Sequence, residues 1–374
     1  MMLFDYQFKN YNFRLALYVL LLNLLGVYVI RSATNQDMAY VGKQIMGIVV
    51  GFTIVLILSL IDYHRIMAFA PVIYAVCIIG LIAVLLFGKN VNNATRWLVL
   101  PGIGQIQPSE FVKVGLVAFF AWFFSKNQEK LNRVTTLLIA GGLFSVVFLL
   151  IFSEPDLSTG LVTVFVFLCM LFAAGLSYRW IAGGLAVVIP CGVLFVYLLQ
   201  YNMVPFLKGY QARRILAFVD KEKYADANLQ QDNSIMAIGS GMLKGKWEHK
   251  DALVSVKNGG FLSEEQTDFI FAVIGEELGF IGCTVVIILI ALIVYECLLM
   301  ASRAKDSAGM LICTGMGALL AFQSFSNIAV ATGVFPNTGL PLPFISYGVS
   351  SLISLYIGVG LTLNVGLQRK ISSH

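Results

Sequence analysis

The densest group of side chains able to do chemistry lies at the edge of an apolar stretch, between Ser263 and Phe280. Ser263 and Gln266 have the spacing of a capping box, which predicts a helix that begins at Ser263 and carries Asp268 about one turn inside it. A carboxylate at such a boundary is partly desolvated, which raises its pKa and suits it to accept a proton. Asp268 is therefore a candidate general base, and a plain helix-start carboxylate is the alternative.

Ionisable residues also surround the start of another apolar stretch, at Pro108. Proline suits the first turn of a helix, where Glu110 would meet the positive end of the helix dipole and Lys113 would lie one turn deeper on the same face. A lysine inside an apolar stretch indicates a function or a structural ion pair. Arg96 and Trp97, which precede it, are typical of a substrate site and equally of an anchor at the lipid head groups.

Two carboxylates, Glu154 and Asp156, flank a proline in the turn between two further apolar stretches. Asp156 is placed to cap the helix that follows it. It is also a candidate partner for Lys113, because a buried lysine needs an opposite charge. The two interpretations are compatible, and the sequence leaves both open.

The segment 201–268 is the one long polar part of the chain. A loop of this length without secondary structure would be unusual, so we expect short helices within it. Arg213 and Arg214 suit bidentate binding of phosphate, and the backbone amides around Ser240, in a Gly-Ser-Gly sequence, suit a close approach to an anion. A solvated, charged loop is the alternative interpretation.

A further segment, from Phe335 to Ser351, contains three prolines within eight residues, which forbid a regular helix there. Irregular backbone at membrane depth is tolerated where it packs against protein or lines a cavity. The segment, which includes Ser346, therefore predicts a shaped vestibule, unless it is an ordinary connector between two helices.

These residues must be positioned by helices that lie in lipid. The 374 residues are 59% hydrophobic and only 12% charged, whereas soluble domains are about 25% charged. A membrane-spanning helix needs about 20 apolar residues. The sequence therefore predicts an all-α polytopic membrane protein, a single transmembrane domain over residues 1–374, with ten spans at 13–31, 44–61, 68–88, 109–125, 134–153, 159–176, 179–200, 269–300, 308–334 and 345–367.

Lysine and arginine in the short connections predict the orientation of these spans. One side collects eleven such residues and the other side only four, which places both termini in the cytoplasm. The polar segment 201–268, between spans seven and eight, then lies outside the cell. The net charge of +5 follows from this asymmetry, so it does not predict a nucleic-acid partner.

Taken in order, the motifs resemble those of the SEDS family (shape, elongation, division, sporulation), and the resemblance covers nearly the whole chain. They are RW at 96–97, QPSE at 107–110, EPDL at 154–157, YQARR at 210–214, AIGSG at 237–241, TDFIFAVIGEELGF at 267–280 and PNTGLPLPFISYG at 336–348. The rod-elongation branch, RodA, is more similar than the division branch, FtsW. Ser158, Ser263 and Gln266 depart from the usual glycine, proline and histidine of the family.

The resemblance implies a peptidoglycan glycosyltransferase that polymerises lipid II into glycan strands at the outer face of the bacterial cytoplasmic membrane. It implies that Asp268 is the essential carboxylate and that Arg96, Lys113 and Arg214 hold pyrophosphate. The other substrate-binding candidates are Trp97, Glu154, Asp156, Ser240, Thr267 and Ser346.

The implied partner is a class B penicillin-binding protein, the cross-linking transpeptidase, within the elongation or division machinery. No integral cofactor is expected, although a divalent cation such as Mg²⁺ would suit a pyrophosphate substrate. Two alternatives remain: a flippase that moves lipid II outward, and a non-catalytic scaffold for a transpeptidase. A flippase is expected to carry its ionisable groups along a path through the midplane.

Overall fold

The computed structural model describes residues 11–34, 36–91, 94–100, 104–201, 215–218, 220, 223–246, 262 and 264–368. Within these residues the fold is a bundle of ten long helices. They are α1 (Phe13–Ala33), α2 (Met38–Leu60), α4 (Ala70–Phe87), α5 (Pro108–Lys126), α6 (Val134–Ser153), α7 (Leu157–Ala173), α8 (Tyr178–Gln200), α10 (Ile270–Ser302), α11 (Ser307–Ala331) and α12 (Val349–Leu367). The shorter helical segments include α3 (Tyr63–Ala68), α9 (Ala225–Ser240) and a 3-10 helix at Gln128–Lys130.

The ten long helices confirm the ten predicted spans, with edges that differ by a few residues. Nine of them have the length and composition to cross a membrane. The tenth, α7, has 17 residues, which is the lower limit for a span of about 17–25 residues. The chain is therefore a polytopic helical membrane protein.

Successive long helices run in opposite directions, so the chain enters and leaves the bundle at the same end. At that end, Asn12 donates a hydrogen bond to Glu296 near the end of α10, over 2.7 Å. Gln368, after α12, donates to Asp62 in the turn after α2, over 3.0 Å. We call this end the His64 end, and the opposite end, where α2, α5, α7, α10 and α12 begin, the Asp268 end.

The centre of the bundle consists of α5, α11 and α12, whose side chains are buried on nearly all faces. Small residues let the surrounding helices approach this centre, as is common in membrane bundles. A Cβ atom on Gly51 of α2, for example, would lie 2.0 Å from the ring of Tyr356 on α12. The outer helices α1, α2, α4 and α8 instead carry many exposed apolar side chains, as lipid-facing helices do.

A small antiparallel sheet at the Asp268 end was not predicted from the sequence. Its strands, in spatial order, are β1 (Lys89–Val91), β2 (Ala94–Leu100) and β3 (Gly104–Ile106). Lys89 pairs with Trp97, and Leu98 pairs with Ile106. Because adjacent residues of a strand point to opposite faces, the middle strand β2 presents Arg96 and Trp97 to different surroundings.

Helix α10 is broken at Gly279, which has φ of 64° and ψ of −162°, a conformation available almost only to glycine. The turn 241–246, which follows α9, supplies partners at the break. Phe280 donates its backbone N–H to the carbonyl of Met242 over 2.9 Å, and Lys246 donates its own to Glu276 over 2.9 Å. The break thus receives hydrogen bonds from outside the helix, and the first half of α10 is tied to α9.

Candidate functional site

Asp268 lies in a turn at residues 264–269, and α10 begins only at Ile270. The predicted helix start at Ser263 is therefore wrong for the described residues, and Ser263 itself lies outside them. Three backbone carbonyls of the turn accept hydrogen bonds from other segments. The carbonyl of Gln266 accepts from the backbone of Tyr347 over 2.8 Å, that of Thr267 from the Ser346 hydroxyl over 2.7 Å, and that of Asp268 from Asn327 over 2.8 Å.

These external donors explain why the helix starts late. In a helix that began at Ser263, the same carbonyls would accept from amides four residues further along the chain. Here they bind α11 and the irregular segment 335–348, which we call the Pro-rich segment. Tertiary hydrogen bonds therefore hold Asp268 in a turn, where its side chain is half-buried at the Asp268 end of the bundle.

Gly339 of the Pro-rich segment lies directly against the Asp268 carboxylate. Its φ is +72°, in the left-handed region, and a Cβ atom added to it would lie 3.0 Å from Oδ2 of Asp268. A glycine therefore serves both the backbone conformation and the approach of the carboxylate. The segments around Asp268 and around Ser346, which the sequence analysis gave as separate candidate sites, form one site.

Ser346 and Thr267 hold this turn through both their hydroxyl groups. The hydroxyl of Ser346 donates to the carbonyl of Thr267 and accepts from the backbone N–H of Leu342, over 2.7 Å in each case. The hydroxyl of Thr267 donates to the carbonyl of Glu264 over 3.1 Å. Both predicted substrate-binding hydroxyls are thus engaged within the protein.

Arg96 projects from the sheet to the turn between α6 and α7. Its Nη2 donates to the carbonyl of Pro155, its Nε to the carbonyl of Glu154 over 3.5 Å, and its Nη1 lies 3.8 Å from Oδ1 of Asp156. The Arg96 side chain is 20% exposed, whereas the Asp156 side chain is 3% exposed. The arginine therefore lies beside a buried carboxylate and remains partly exposed.

Asp156 also caps α7, which confirms that prediction. Its Oδ1 accepts from the backbone N–H of Thr159 over 3.2 Å, and its Oδ2 accepts from the hydroxyl of the same residue over 2.9 Å. Gln107, just before α5, donates to Oδ2 over 3.4 Å. Asp156 thus connects the sheet, α5 and α7 at a single carboxylate.

Glu154 is fully buried, and neither carboxylate oxygen has a hydrogen-bond partner among the residues that the structure describes. Burial raises the pKa of this carboxyl, the charge of Asp156 raises it as well, and the charge of Arg96 lowers it; the net result is a pKa of about 8. At neutral pH the group is therefore largely protonated. A neutral carboxylic acid and a charged carboxylate, Asp156, stand two residues apart.

Lys113 pairs with Glu110 and not with Asp156, so the alternative of an inward-turned Asp156 is wrong. Its Nζ donates to Oε1 of Glu110 over 2.8 Å and to Oε1 of Gln323 over 2.8 Å. The lysine is 1% exposed. Gln323 in turn donates to the carbonyl of Pro341 over 2.9 Å, so the ion pair supports the Pro-rich segment from below.

The Pro-rich segment receives hydrogen bonds from several helices around the site. Ser158, one of the positions where the sequence departs from the SEDS pattern, donates its hydroxyl to the carbonyl of Thr338. Gln231 of α9 donates to the carbonyl of Phe335 over 2.8 Å. Asn327 donates to Leu340 over 2.7 Å. One irregular segment thus joins the Asp268 turn to the group of Arg96, Glu154 and Asp156.

Two predicted site residues that the structure describes, Ser240 and Trp97, are not brought into these contacts. Ser240 donates its hydroxyl to the carbonyl of Ala237 over 2.8 Å, within α9. Trp97 lies half-buried on β2, opposite Lys89. Arg214 lies outside the described residues, together with the neighbouring Arg213. Their roles in substrate binding stay predictions.

Residues 12–371 match the family model of the FtsW, RodA and SpoVE cell cycle proteins. The chain belongs to this family. The FtsW/RodA/SpoVE match spans all ten long helices and every motif that carried the resemblance.

Relatives from both branches of the FtsW/RodA/SpoVE family are equally similar in sequence. The chain is 34% identical over 361 residues to the peptidoglycan glycosyltransferase MrdB of Escherichia coli K12, covering 96% of this chain and 94% of that protein. It is also 34% identical over 385 residues to a probable peptidoglycan glycosyltransferase FtsW of Trichlorobacter lovleyi, covering 98% and 96%. The preference for the rod-elongation branch therefore stays a prediction.

Solved structures share the fold over nearly the whole chain. A chain of a peptidoglycan synthase complex, described for its coordination of polymerization and crosslinking, has a TM-score of 0.78 at 28% identity, covering 95% of this chain and 97% of that one. The rod shape determining protein RodA of Thermus thermophilus has a TM-score of 0.70 at 25% identity, covering 99% of each chain.

Sequence reasoning missed two buried amides of this FtsW/RodA/SpoVE site, Gln323 and Asn327 on α11. Both lie in a predicted span, where an amide side chain must find partners inside the protein. That expectation was a usable signal, because polar residues within a span are functional candidates. Thr338 and Ser350, which also contact the site, offered no such signal, since they lie at its polar edge.

A resident metal ion does not fit the described residues. Among them, no group of three or more histidine, cysteine, aspartate or glutamate side chains is arranged to hold one. The unpartnered Glu154 and the neighbouring Asp156 supply two carboxylates at most, and the Arg96 guanidinium lies beside them. The described residues therefore provide no binding site for a resident metal ion.

Proposed function

We propose that this protein is a peptidoglycan glycosyltransferase that polymerises lipid II into glycan strands, with Asp268 as the general base. Relatives named peptidoglycan glycosyltransferase, which match over more than nine-tenths of their length, support the activity. The observation that carries the residue assignment is the construction of the Asp268 turn. Two segments, α11 and the Pro-rich segment, bind the backbone of this turn, while the Asp268 carboxylate lies against a glycine and stays half-buried at one end of the bundle.

In the proposed reaction, Asp268 accepts the proton of the 4-hydroxyl of the attacking sugar. The freed oxygen forms a bond to the anomeric carbon of the donor sugar from the opposite face, so the configuration is inverted. The bond between that carbon and the lipid pyrophosphate breaks, and the pyrophosphate leaves with the bonding electrons.

The negative charge that develops on the leaving pyrophosphate needs cations near the Asp268 end. Arg96 is the best-placed described candidate, because its side chain is partly exposed and its guanidinium is held by the α6–α7 turn. Arg214 stays a candidate from the sequence. Lys113 is enclosed by Glu110 and Gln323, so we assign it to the support of the Pro-rich segment.

We further propose that both termini lie in the cytoplasm, so that the Asp268 end faces outward. The excess of lysine and arginine at the His64 end supports this orientation. Lipid-linked sugars flipped to the outer leaflet would then meet the site where it opens.

The proposed partner is a class B penicillin-binding protein that cross-links the new strands. The similarity to a chain of a complex that coordinates polymerization and crosslinking supports such a partner. A divalent cation such as Mg²⁺ is proposed to bind, where it takes part, through the substrate pyrophosphate and at most one or two carboxylates.

The test is glycan synthesis from purified lipid II by the protein co-purified with its transpeptidase, with penicillin present to block cross-linking. A ladder of glycan strands is expected. Reconstituted vesicles with fluorescent lipid II provide the second arm. Movement of lipid II across the bilayer without polymer would favour the flippase, and neither movement nor polymer from an intact complex would favour the scaffold.

A further inference from the structure

We infer that Asn327 is a positioning residue for Asp268, an inference that rests on the proposed function. Asn327 lies on α11 and is 1% exposed. Its amide nitrogen donates to the carbonyl of Asp268 over 2.8 Å and to the carbonyl of Leu340 over 2.7 Å. An amide nitrogen carries two hydrogens, and here both are donated to carbonyls of two distant chain segments.

The two carbonyls belong to the two sides of one contact. Asp268 supplies the carboxylate, and Leu340 directly follows Gly339, the residue against which Oδ2 of that carboxylate lies. Asn327 therefore determines how far the Asp268 backbone stands from the backbone that supports its side chain. The other donors to this turn, Ser346 and the backbone of Tyr347, bind the carbonyls of the two preceding residues and not that of Asp268.

This arrangement matters because a general base works only within hydrogen-bond reach of the proton that it removes. A misplacement of about 1 Å, caused away from the reacting atoms, lowers catalytic rates by about 100-fold. Loss of the Asn327 amide would release both carbonyls and let the Asp268 backbone shift, although Ser346 and Tyr347 would still hold the two preceding carbonyls. The carboxylate would remain present, ionisable and misplaced.

A purely structural role would have a different signature, and α12 offers a matched control. Asn364 is also fully buried in a span, and its amide donates to the carbonyl of Ser59 over 2.7 Å. It lies at the His64 end, far along the helix from the Asp268 site. The oxygen of the same amide accepts from the backbone of Tyr63 and from Gln368. Asn364→Ala thus removes a buried amide that joins helices elsewhere in the bundle, and it leaves the Asp268 site intact.

The experiment compares Asn327→Ala with Asn364→Ala in the co-purified complex, measuring thermal stability, kcat and KM for lipid II per folded complex. We expect both variants to lose stability, and Asn364→Ala to lose at least as much, because its amide makes more hydrogen bonds. Asn327→Ala is expected to lower kcat about 100-fold, with KM changed less than about threefold. Asn364→Ala is expected to keep kcat within about twofold of wild type. Equal kcat losses in the two variants would overturn the inference.

A second measurement tests whether Asn327 acts through Asp268. Asp268→Glu keeps a carboxylate but displaces it, so part of the positioning is already lost. Asn327→Ala added to Asp268→Glu is expected to cost far less activity than it costs in wild type. Full multiplication of the two losses would overturn the inference. Wild-type kcat in Asn327→Ala with an inactive Asp268→Asn would sink this inference alone, whereas an active Asp268→Asn would remove the proposed base itself.

Discussion

Lys113 is a buried charged residue, so its ammonium group needs an opposite charge beside it. Its ammonium group is enclosed by Glu110 and Gln323, and removal of one partner of a buried ion pair costs about 3–5 kcal/mol, because the other charge stays buried and unpaired. Lys113→Met is therefore expected to lower the melting temperature of the detergent-solubilised protein by several degrees and to reduce its yield.

The matched control adds Glu110→Gln to Lys113→Met, which removes the stranded charge. Most of the lost stability is expected to return, since a neutral side chain needs less compensation in this position. A Lys113→Met protein as stable as wild type would contradict the buried pair, and so would a double variant that is less stable than the single one.

Gly339 provides a sharper test of the site itself. Gly339→Ala adds a Cβ atom 3.0 Å from Oδ2 of Asp268, at a φ of +72°. The left-handed backbone costs an alanine about 1–2 kcal/mol, and the new methyl group pushes against the carboxylate. We expect glycan synthesis from lipid II to fall more than tenfold, at about 1.4 kcal/mol per tenfold in rate, while the protein still folds.

Gly333→Ala is the control for the backbone cost alone. Gly333 has a φ of +78°, and its added Cβ atom would lie 2.7 Å from the tip of the Ile235 side chain, which can turn away. The two variants are expected to lose similar stability, and only Gly339→Ala is expected to lose activity. Equal activity in both would separate Gly339 from the Asp268 carboxylate.

Residue by residue, the sequence was most informative where partners are close along the chain. The structure confirms that Asp156 caps α7, a contact over three residues. It also confirms that Lys113 lies on the same helix face as Glu110, three residues away, although Asp156 was the partner named from the sequence. The partners of Arg96 lie 58–59 residues away, and Asn327 lies 59 residues from Asp268. No local pattern encodes such separations.

At the scale of elements, the turn after α2 and the start of α11 are joined by a charged contact at the His64 end. Nδ1 of His64 lies 2.8 Å from Asp62, and its Nε2 lies 2.6 Å from Asp306. Only the doubly protonated imidazolium donates to both carboxylates. Partial burial lowers the pKa of His64, but the hydrogen bonds and charges of Asp62 and Asp306 outweigh it, so the pKa is raised overall.

The sign of the pH dependence follows from these shifts. A raised histidine pKa gives a stabilisation that is fully present below about pH 6.5 and is lost as the pH rises through the raised value. The pKa values of Asp62 and Asp306 are lowered overall: burial raises both, but hydrogen bonds from Gln368 and His64 to Asp62, and from Gly309 and His64 to Asp306, outweigh it. Their contribution is therefore lost only in acid, below about pH 4.

His64→Gln is the variant that tests this contact. The difference in melting temperature between wild type and His64→Gln is expected to be largest near pH 6 and to shrink steadily towards pH 9. The glutamine variant itself is expected to show a flatter profile over this range. A difference that does not depend on pH would mean that the imidazolium is not what joins the two elements.

Elements were predictable from the sequence to the extent that their signal is local. The ten spans are continuous apolar stretches, and their existence needs no knowledge of neighbours. The sheet at 89–106 escaped prediction because two of its strands have three residues each and are defined by their pairing. The start of α10 was predicted too early. The capping-box spacing favours a helix from Ser263, but donors from α11 and the Pro-rich segment bind the carbonyls that such a helix would use.

In the molecule as a whole, the Pro-rich segment joins residues that are distant in the sequence into one site. It receives hydrogen bonds from α7, α9 and α11, and it lies against the Asp268 carboxylate. Its prolines predicted the absence of a helix, and its motif contributed to the family resemblance. Its role as a common support required the fold, since the contacting residues come from positions between Ser158 and Asn327.

Glycan polymerisation by Asp268→Asn tests the assignment of Asp268 as the general base. The assay uses purified lipid II, with the transpeptidase partner present and penicillin blocking cross-linking. Glu264→Gln, which neutralises an exposed carboxylate in the same turn, is the matched control. Wild type and Glu264→Gln are expected to produce glycan strands, and the folded Asp268→Asn protein is expected to produce none. Strands in equal amount from Asp268→Asn would contradict the assignment of Asp268 as the base.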